Sequence, residues 1–284
     1  MGSPGPADIP YLRKADMMAS PQKGKMMTGF RTFLTAAALA LSVPVIIPQN
    51  ALAQVKVMTS GGFAAPLREM LPEFEKSSGL SVEVILGKSQ GGGPDTISAQ
   101  LSRGVAADIV ILSREGLNDL ISENRIAAHS DIDLAKTPLG MAVRAGAPKP
   151  DIGTVEAFKN TLLHAKSITY PSSTTGIYMA TKLFPRLGIA GEVLPKSSNA
   201  GVAAVAKGDI EIAIQPVSEL LHVPGTDFVG TLPPEVQYIS VFSAALVAGS
   251  AKNNEARKLI TFLGSAQAKG SIRNSGMEPL TSHE

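Results

Sequence analysis

Apolar positions along this chain follow two alternating periods. Short β-branched and apolar runs read as strands: Val55–Met58, Ser81–Leu86, Asp108–Leu112, Leu139–Val143, Ser167–Tyr170 and Ile210–Ile214. The run DIVIL at 108–112 has no polar alternate, the pattern of a parallel strand buried on both faces. Between the strands the period lengthens to that of a helix. Phe63–Ser77 carries Leu67, Met70, Leu71 and Phe74 on one face, and Glu115–Glu123 carries Leu117, Leu120 and Ile121. Thr154–Leu163 and Asn253–Ala268 read the same way, the latter through Ala256, Leu259, Ile260 and Leu263. Pro94 suits a first helical position, with Ile97 and Leu101 as the buried face behind it. A short strand over Val193–Lys196, helices over Gly201–Lys207 and Gln215–Leu221, a short strand at Phe228-Val229 and a β-rich run over Val236–Ala248 complete the reading. Strand–helix alternation of this kind specifies an α/β fold with a largely parallel sheet.

The strand ends share a chemistry. Ser167–Leu183 runs from a strand through Pro171-Ser172-Ser173-Thr174-Thr175-Gly176 into a helix. The theme returns at Thr59-Ser60-Gly61-Gly62, at Gly87-Lys88-Ser89-Gln90-Gly91-Gly92-Gly93 and at Lys196-Ser197-Ser198-Asn199. Backbone N–H groups left free at a helix start attract anions, and hydroxyls add neutral donors. Ligands of open α/β sheets lie at the carboxyl ends of the strands, so four such turns point to one shared anion cleft.

Composition narrows the chemistry. The chain has 284 residues, 44% of them hydrophobic, enough for two modest domains. It has no Cys, which excludes disulfides, thiolate metal sites and a Cys nucleophile. Its four His (His129, His164, His222 and His283) are scattered and form no zinc motif. Neither a metal nor a cofactor is expected. Residues 1–53 read as an N-terminal extension plus a cleaved secretory leader: Lys23, Lys25 and Arg31 precede an apolar Thr32–Ile47, and Ala51-Leu52-Ala53 forms the cleavage site. This implies a periplasmic protein. Five of the 26 basic and two of the 24 acidic residues fall in that segment, so the remainder is slightly acidic and nucleic acid is not an expected partner.

From about Val55 to Leu280 the chain resembles the periplasmic molybdate-binding proteins of ABC importers. The resemblance rests on VKVMTSGGFAAPLREMLPEFEKSSG, LSRGVAADIVILSREGLNDLI, ITYPSSTTGIYMATKLFPRLGI, AAVAKGDIEIAI and EARKLITFLGSAQAKGSIRNSGMEPL. It implies the two-lobe type II periplasmic binding fold, each lobe a mostly parallel sheet flanked by helices. Residues 55–138 with 236–284 form lobe one and 139–235 lobe two. Two hinge crossovers lie near Thr137–Met141 and Gln237–Val241. It also implies a small anion ligand, molybdate or tungstate by family, an ABC permease as partner, a monomer, and no chemistry performed. The binding residues carried over or flanking the matched positions are Ser60, Gly62, Ser89, Gln90, Thr175, Gly176, Ser198 and Gln215. Gly62 stands where the family has a binding Ser, and Gln215 near where it has a Tyr. The longer Gly-rich loop would suit a larger anion instead, such as a di- or tricarboxylate.

Other chemistries compete. Gly87-Lys88-Ser89-Gln90-Gly91 fits the G-x-S-x-G nucleophile elbow of serine hydrolases, with His222 or His283 as base and Asp209 or Asp227 as its orienter. Against it, Gly92-Gly93-Pro94 delays the helix that should start at the Ser. A P-loop is excluded because Val82 stands where its first Gly must be. Asp131/Asp133 and Asp209/Glu211 have the spacing of metal ligands and equally of a solvated face. Arg114 either faces the cleft or caps a surface turn, and Tyr178 either donates its hydroxyl or packs. A signalling role without an importer fits the same residues.

Overall fold

The structure is a computed structural model that describes residues 54–280. The expected leader and its cleavage site, and His283, lie outside the described residues. In chain order the first elements are β1 (Gln54–Ser60), α1 (Gly61–Ser78), β2 (Ser81–Gly87), α2 (Ile97–Ser102), β3 (Ile109–Ser113) and α3 (Arg114–Ser122). Next come β4 (Ile132–Arg144), α4 (Val155–His164), β5 (Ile168–Thr169), α5 (Thr174–Tyr178), α6 (Phe184–Leu187) and α7 (Ala190–Val193). A π turn over Met179–Leu183 joins α5 to α6. The chain continues through β6 (Ser197–Ser198), α8 (Val202–Lys207), β7 (Ile212–Pro216), α9 (Val217–Leu220) and β8 (Thr226–Thr231). It ends with β9 (Ile239–Leu246), α10 (Asn253–Leu263), α11 (Lys269–Asn274) and β10 (Glu278–Pro279).

The fold is the mixed α/β architecture anticipated from the sequence. The strands follow the order β2-β1-β3-β9-β4-β7-β5-β6, with β8 and β10 also paired to β4. β1 is parallel to β2 and β3, and β5 is parallel to β6 and β7. β9 and β4 run antiparallel to their neighbours. The 13-residue β4 splices two halves together: Ile132–Pro138 pair with β9, and Leu139–Val143 pair with β7.

The core divides at the same point. Two apolar clusters, centred on β1, β3 and α1, draw on residues 55–135 and 242–277. Two others draw on 139–236. In α1 the helical period buries Phe63, Leu67, Met70, Leu71 and Phe74 against β1 and β3, and each large side chain so buried contributes on the order of 2 kcal/mol. At the crossing between halves, Gln237 stands in for a strand. Its Oε1 accepts from Leu139 N–H at 2.7 Å, and its Nε2 donates to the carbonyls of Leu139 and Leu232, both at 3.1 Å.

Some elements differ from the sequence reading. β4 begins seven residues before the expected Leu139. Its first half, IDLAKTP, looks too charged for a strand, yet Asp133 reaches out to Arg114 and Ser243 while Leu134 and Ala135 turn inward. Val193–Lys196 is helical rather than extended, and the strand falls on Ser197–Ser198. Pro94 lies in a turn: α2 starts at Ile97, capped by the Thr96 hydroxyl accepting from Ala99 N–H at 3.2 Å. Among the described residues no helix is long and apolar enough to cross a membrane.

Candidate functional site

A cavity of about 320 Å³ opens between the two halves, at the carboxyl ends of β1, β2, β3 and β7. That volume falls in the range of small-molecule sites. The first half supplies Ser60 and Gly61 at the β1–α1 turn, Lys88 and Ser89 after β2, Ser113 ending β3, and Ser240 and Phe242 on β9. The second half supplies Ser173, Thr174 and Thr175 at the start of α5, and Pro216 and Glu219 after β7.

The walls touch. Ser113 Oγ and Thr174 Oγ1 are 2.8 Å apart across the cleft, and Gln90 N–H donates to Ser173 Oγ at 3.4 Å. The Gly-rich loop presses on the facing loop: a Cβ on Gly91 would come within 2.5 Å of the Ser172 carbonyl oxygen. Glu219 crosses in the opposite direction. Its Oε2 stands 3.6 Å from where a Cβ on Gly61 would be, at the N-terminus of the 18-residue α1.

Hydroxyls dominate the lining, and their partners sort them. Ser89 Oγ accepts from Ser113 N–H at 3.0 Å, and Ser113 Oγ accepts from Gly116 N–H at 3.2 Å. Ser60 Oγ and Ser240 Oγ, in residues only 5% and 2% exposed, have no partner among the described residues. An unpaired buried hydroxyl costs about 1–3 kcal/mol, so these two donors beside a long helix's free N–H groups form a site shaped to receive an acceptor. Lys88 and Asp95 are paired at 2.9 Å, and the Lys88 ammonium beside Asp95 lowers its carboxyl pKa. Burial pushes the Glu219 pKa up to about 7.

Of the expected binding residues, Ser60, Gly62, Ser89 and Thr175 line this cavity. Four others do not. Gln90 turns its amide outward to donate to Asp119 at 2.5 Å. Gly176 is locked against the preceding loop, where a Cβ would meet the Pro171 carbonyl oxygen at 1.7 Å. Ser198 turns its hydroxyl to its own loop, accepting from Ala200 N–H at 3.5 Å. Gln215 lines a separate hollow with Arg68 and His222. Gly62 contributes space, since a Cβ there would come within 2.1 Å of the Phe242 ring.

The remaining candidates also find places. Arg114 pairs with Asp131 at 2.7 Å and with Asp133, within its own half. Tyr178 stacks on Tyr238 at 4.7 Å, and the Tyr238 hydroxyl donates to Glu115 Oε1 at 2.5 Å. Burial, reinforced by that carboxylate, raises the Tyr238 pKa. The serine-hydrolase reading lacks its geometry among the described residues: none of their His lines the cavity, His222 sits against the Asn274 carbonyl at 3.1 Å, and the helix after Ser89 begins eight residues on. Among the described residues no group of three or more His, Asp or Glu is placed to hold a metal.

Lys88, Ser173 and Thr174, placed in the anion turns but not singled out as binding residues, also line the cavity, whereas sequence reasoning overlooked Ser113, Ser240 and Glu219. Glu219 had a signal: it follows the apolar strand IEIAI by five residues, and strand ends are where the cleft lies.

Residues 55–278 match the model of a family described as bacterial extracellular solute-binding protein. A protein named aconitate isomerase, from a Pseudomonas species, is 35% identical over 88% of this chain and 96% of its own. The fold is similar to that of the Azotobacter vinelandii periplasmic molybdate-binding protein (TM-score 0.63, 16% identity, 81% of this chain and 100% of that one). It is also similar to a sulfate-binding protein of Mycobacterium tuberculosis (TM-score 0.59, 16% identity, 80% and 87%). The isomerase overturns the expectation of a protein that performs no chemistry: a relative this similar, end to end, carries the name of an enzyme.

Proposed function

The chain belongs to the bacterial extracellular solute-binding proteins, and on that premise we propose that it is a periplasmic isomerase interconverting cis- and trans-aconitate in the cleft between its halves. The observation that carries this reading is a cavity holding both a donor set for an anion and an unpaired carboxylate, in a chain 35% identical to an aconitate isomerase. Ser60, Ser240, Thr175 and the α1 N-terminus meet the substrate's carboxylates with neutral donors, which replace lost hydration without burying fixed countercharges. Lys88 also lines the cavity, its charge balanced by Asp95. Residues 55–138 with 236–280 and residues 139–235 act as lobes that admit the ligand by opening about the Gln237 crossing.

A second reading, supported by the fold likeness, is a monomer that hands molybdate to an ABC permease. One panel tests both. Purified protein incubated with cis-aconitate should yield the trans isomer by proton NMR. Either isomer at a hundred times its Kd should stabilise the fold by about 2.7 kcal/mol. No conversion and no thermal shift with either isomer would reject the isomerase, and a shift with molybdate alone would favour the second reading.

A further inference from the structure

Resting on the isomerase reading above, we infer that Glu219 is the proton carrier of the reaction, moving one proton between the two ends of the substrate's three-carbon unit. Elimination leads there first. Among the described residues, the ionisable ones lining the cavity are Lys88, Asp95 and Glu219. Lys88 and Asp95 hold each other, whereas Glu219 has no hydrogen-bond or ion-pair partner among the described residues. The hollow on its other side adds Arg68, Glu69 and His222, none of them bonded to it. Position is the second argument. The carboxylate reaches from α9 across the cleft to Gly61, beside the unpaired Ser60 hydroxyl. Burial completes the case, because a carboxyl titrating near 7 is a stronger base than a solvated one and remains partly ionised at neutral pH.

The chemistry balances without an oxidant, a reductant or water. Aconitate is a propene with one carboxylate on each carbon. The Glu219 carboxylate takes a proton from the methylene: a C–H bond breaks, an O–H bond forms, and the electron pair spreads over the allyl unit into the end carboxylates. The Glu219 carboxylic acid then returns the proton to the opposite end carbon, and the double bond shifts by one position. When the allyl unit is held with one end carboxylate on the same side as the central one and the other on the opposite side, protonation at one end gives the cis isomer and at the other the trans. No rotation about a double bond is needed, so one base on one face suffices. The unpaired hydroxyls and the α1 N–H groups stand where charge builds on an end carboxylate.

The test compares the wild type with Glu219→Gln, using cis-aconitate for turnover and saturated tricarballylate for binding. We expect Glu219→Gln to lose roughly 10²–10⁴-fold in turnover while binding tricarballylate within about threefold of wild type, a fraction of a kcal/mol. Wild-type kcat/KM should rise with pH through a limb near 7 that the variant's residual activity lacks. A variant within tenfold of wild type, or a wild-type profile flat from pH 5 to 8, would overturn the assignment and leave the isomerase reading standing. A wild type that neither binds nor converts aconitate would overturn both. Should Glu219→Gln fail to fold, the wild-type profile decides alone.

Discussion

Two turns face each other across the cleft, and they resemble one another far more in sequence than in use. Ser60-Gly61-Gly62 joins β1 to α1, and Ser173-Thr174-Thr175-Gly176 opens α5. Both are small, hydroxylated and at the carboxyl end of a strand. In the second turn the hydroxyls of Ser173 and Thr174 are engaged by the opposite wall, through Gln90 N–H and Ser113 Oγ. In the first, the Ser60 hydroxyl is buried and unpaired. Composition identifies an anion turn, but only the partners say whether a hydroxyl serves the ligand or the closure.

The sharpest break should come at Gly62. Its missing side chain makes room for the Phe242 ring, which itself packs on Phe63 at a centroid distance of 6.2 Å. Gly62→Ala puts a methyl 2.1 Å from that ring, within a helix start that cannot retreat from β9. We expect a loss of about 3 kcal/mol, the upper part of the overpacking range, and a Tm lower by several degrees in a chain of this size. A Tm within a degree of wild type would mean that Phe242 swings aside freely and that the glycine is not there for space.

Ser60→Ala should do the reverse, leaving stability intact and removing function. Its hydroxyl has no protein partner to lose among the described residues, so Tm should hold or rise slightly. Binding of a carboxylate should weaken by about 2 kcal/mol, the worth of a hydrogen bond to a charged acceptor, measured by calorimetry with tricarballylate. Unchanged affinity together with a lowered Tm would place Ser60 with the structural hydroxyls and erase the contrast between the turns.

How far the chain could be read follows the same division. Periodicity carried α1, α3, α4 and α10 because each has one wet and one dry face, and it carried β3 because both faces are dry. It missed the first half of β4, where Asp133 and Lys136 give the run a loop's composition although ion pairs to Arg114 and Glu278 satisfy them. At the site, local pattern identified Ser60, Ser89 and Thr175, which sit in turns adjacent in sequence to strand ends. It could not find Ser240, whose place depends on β9 returning alongside β4 after a hundred intervening residues. It passed over Glu219, an ordinary acid on a short helix until the fold sets it opposite α1, although its place just past the strand IEIAI was a signal. Gln90 and Ser198 belong to the right loops but point elsewhere, and side-chain direction in a glycine-rich or irregular loop has no period to read.

The mildest test concerns the engaged turn. Thr174→Val keeps the shape of the side chain and removes the hydroxyl that meets Ser113 across the cleft. Ser113 Oγ still accepts from Gly116 N–H, so no group is left wholly unpaired, and the change should cost about 1 kcal/mol. If that bond serves closure, the cost falls on the closed form alone. Apparent affinity for tricarballylate then drops about fivefold, while turnover at saturating substrate stays near wild type. Thr174 also lines the cavity, so a direct contact with ligand would give a similar loss. Ser113→Ala separates the two cases, because it deletes the same bond from the other wall. Closure through the bond requires the Ser113→Ala variant and the Ser113→Ala/Thr174→Val double variant to bind equally well. A further loss in the double variant would instead assign the Thr174 hydroxyl to the ligand, and the two turns would then differ in degree rather than in kind.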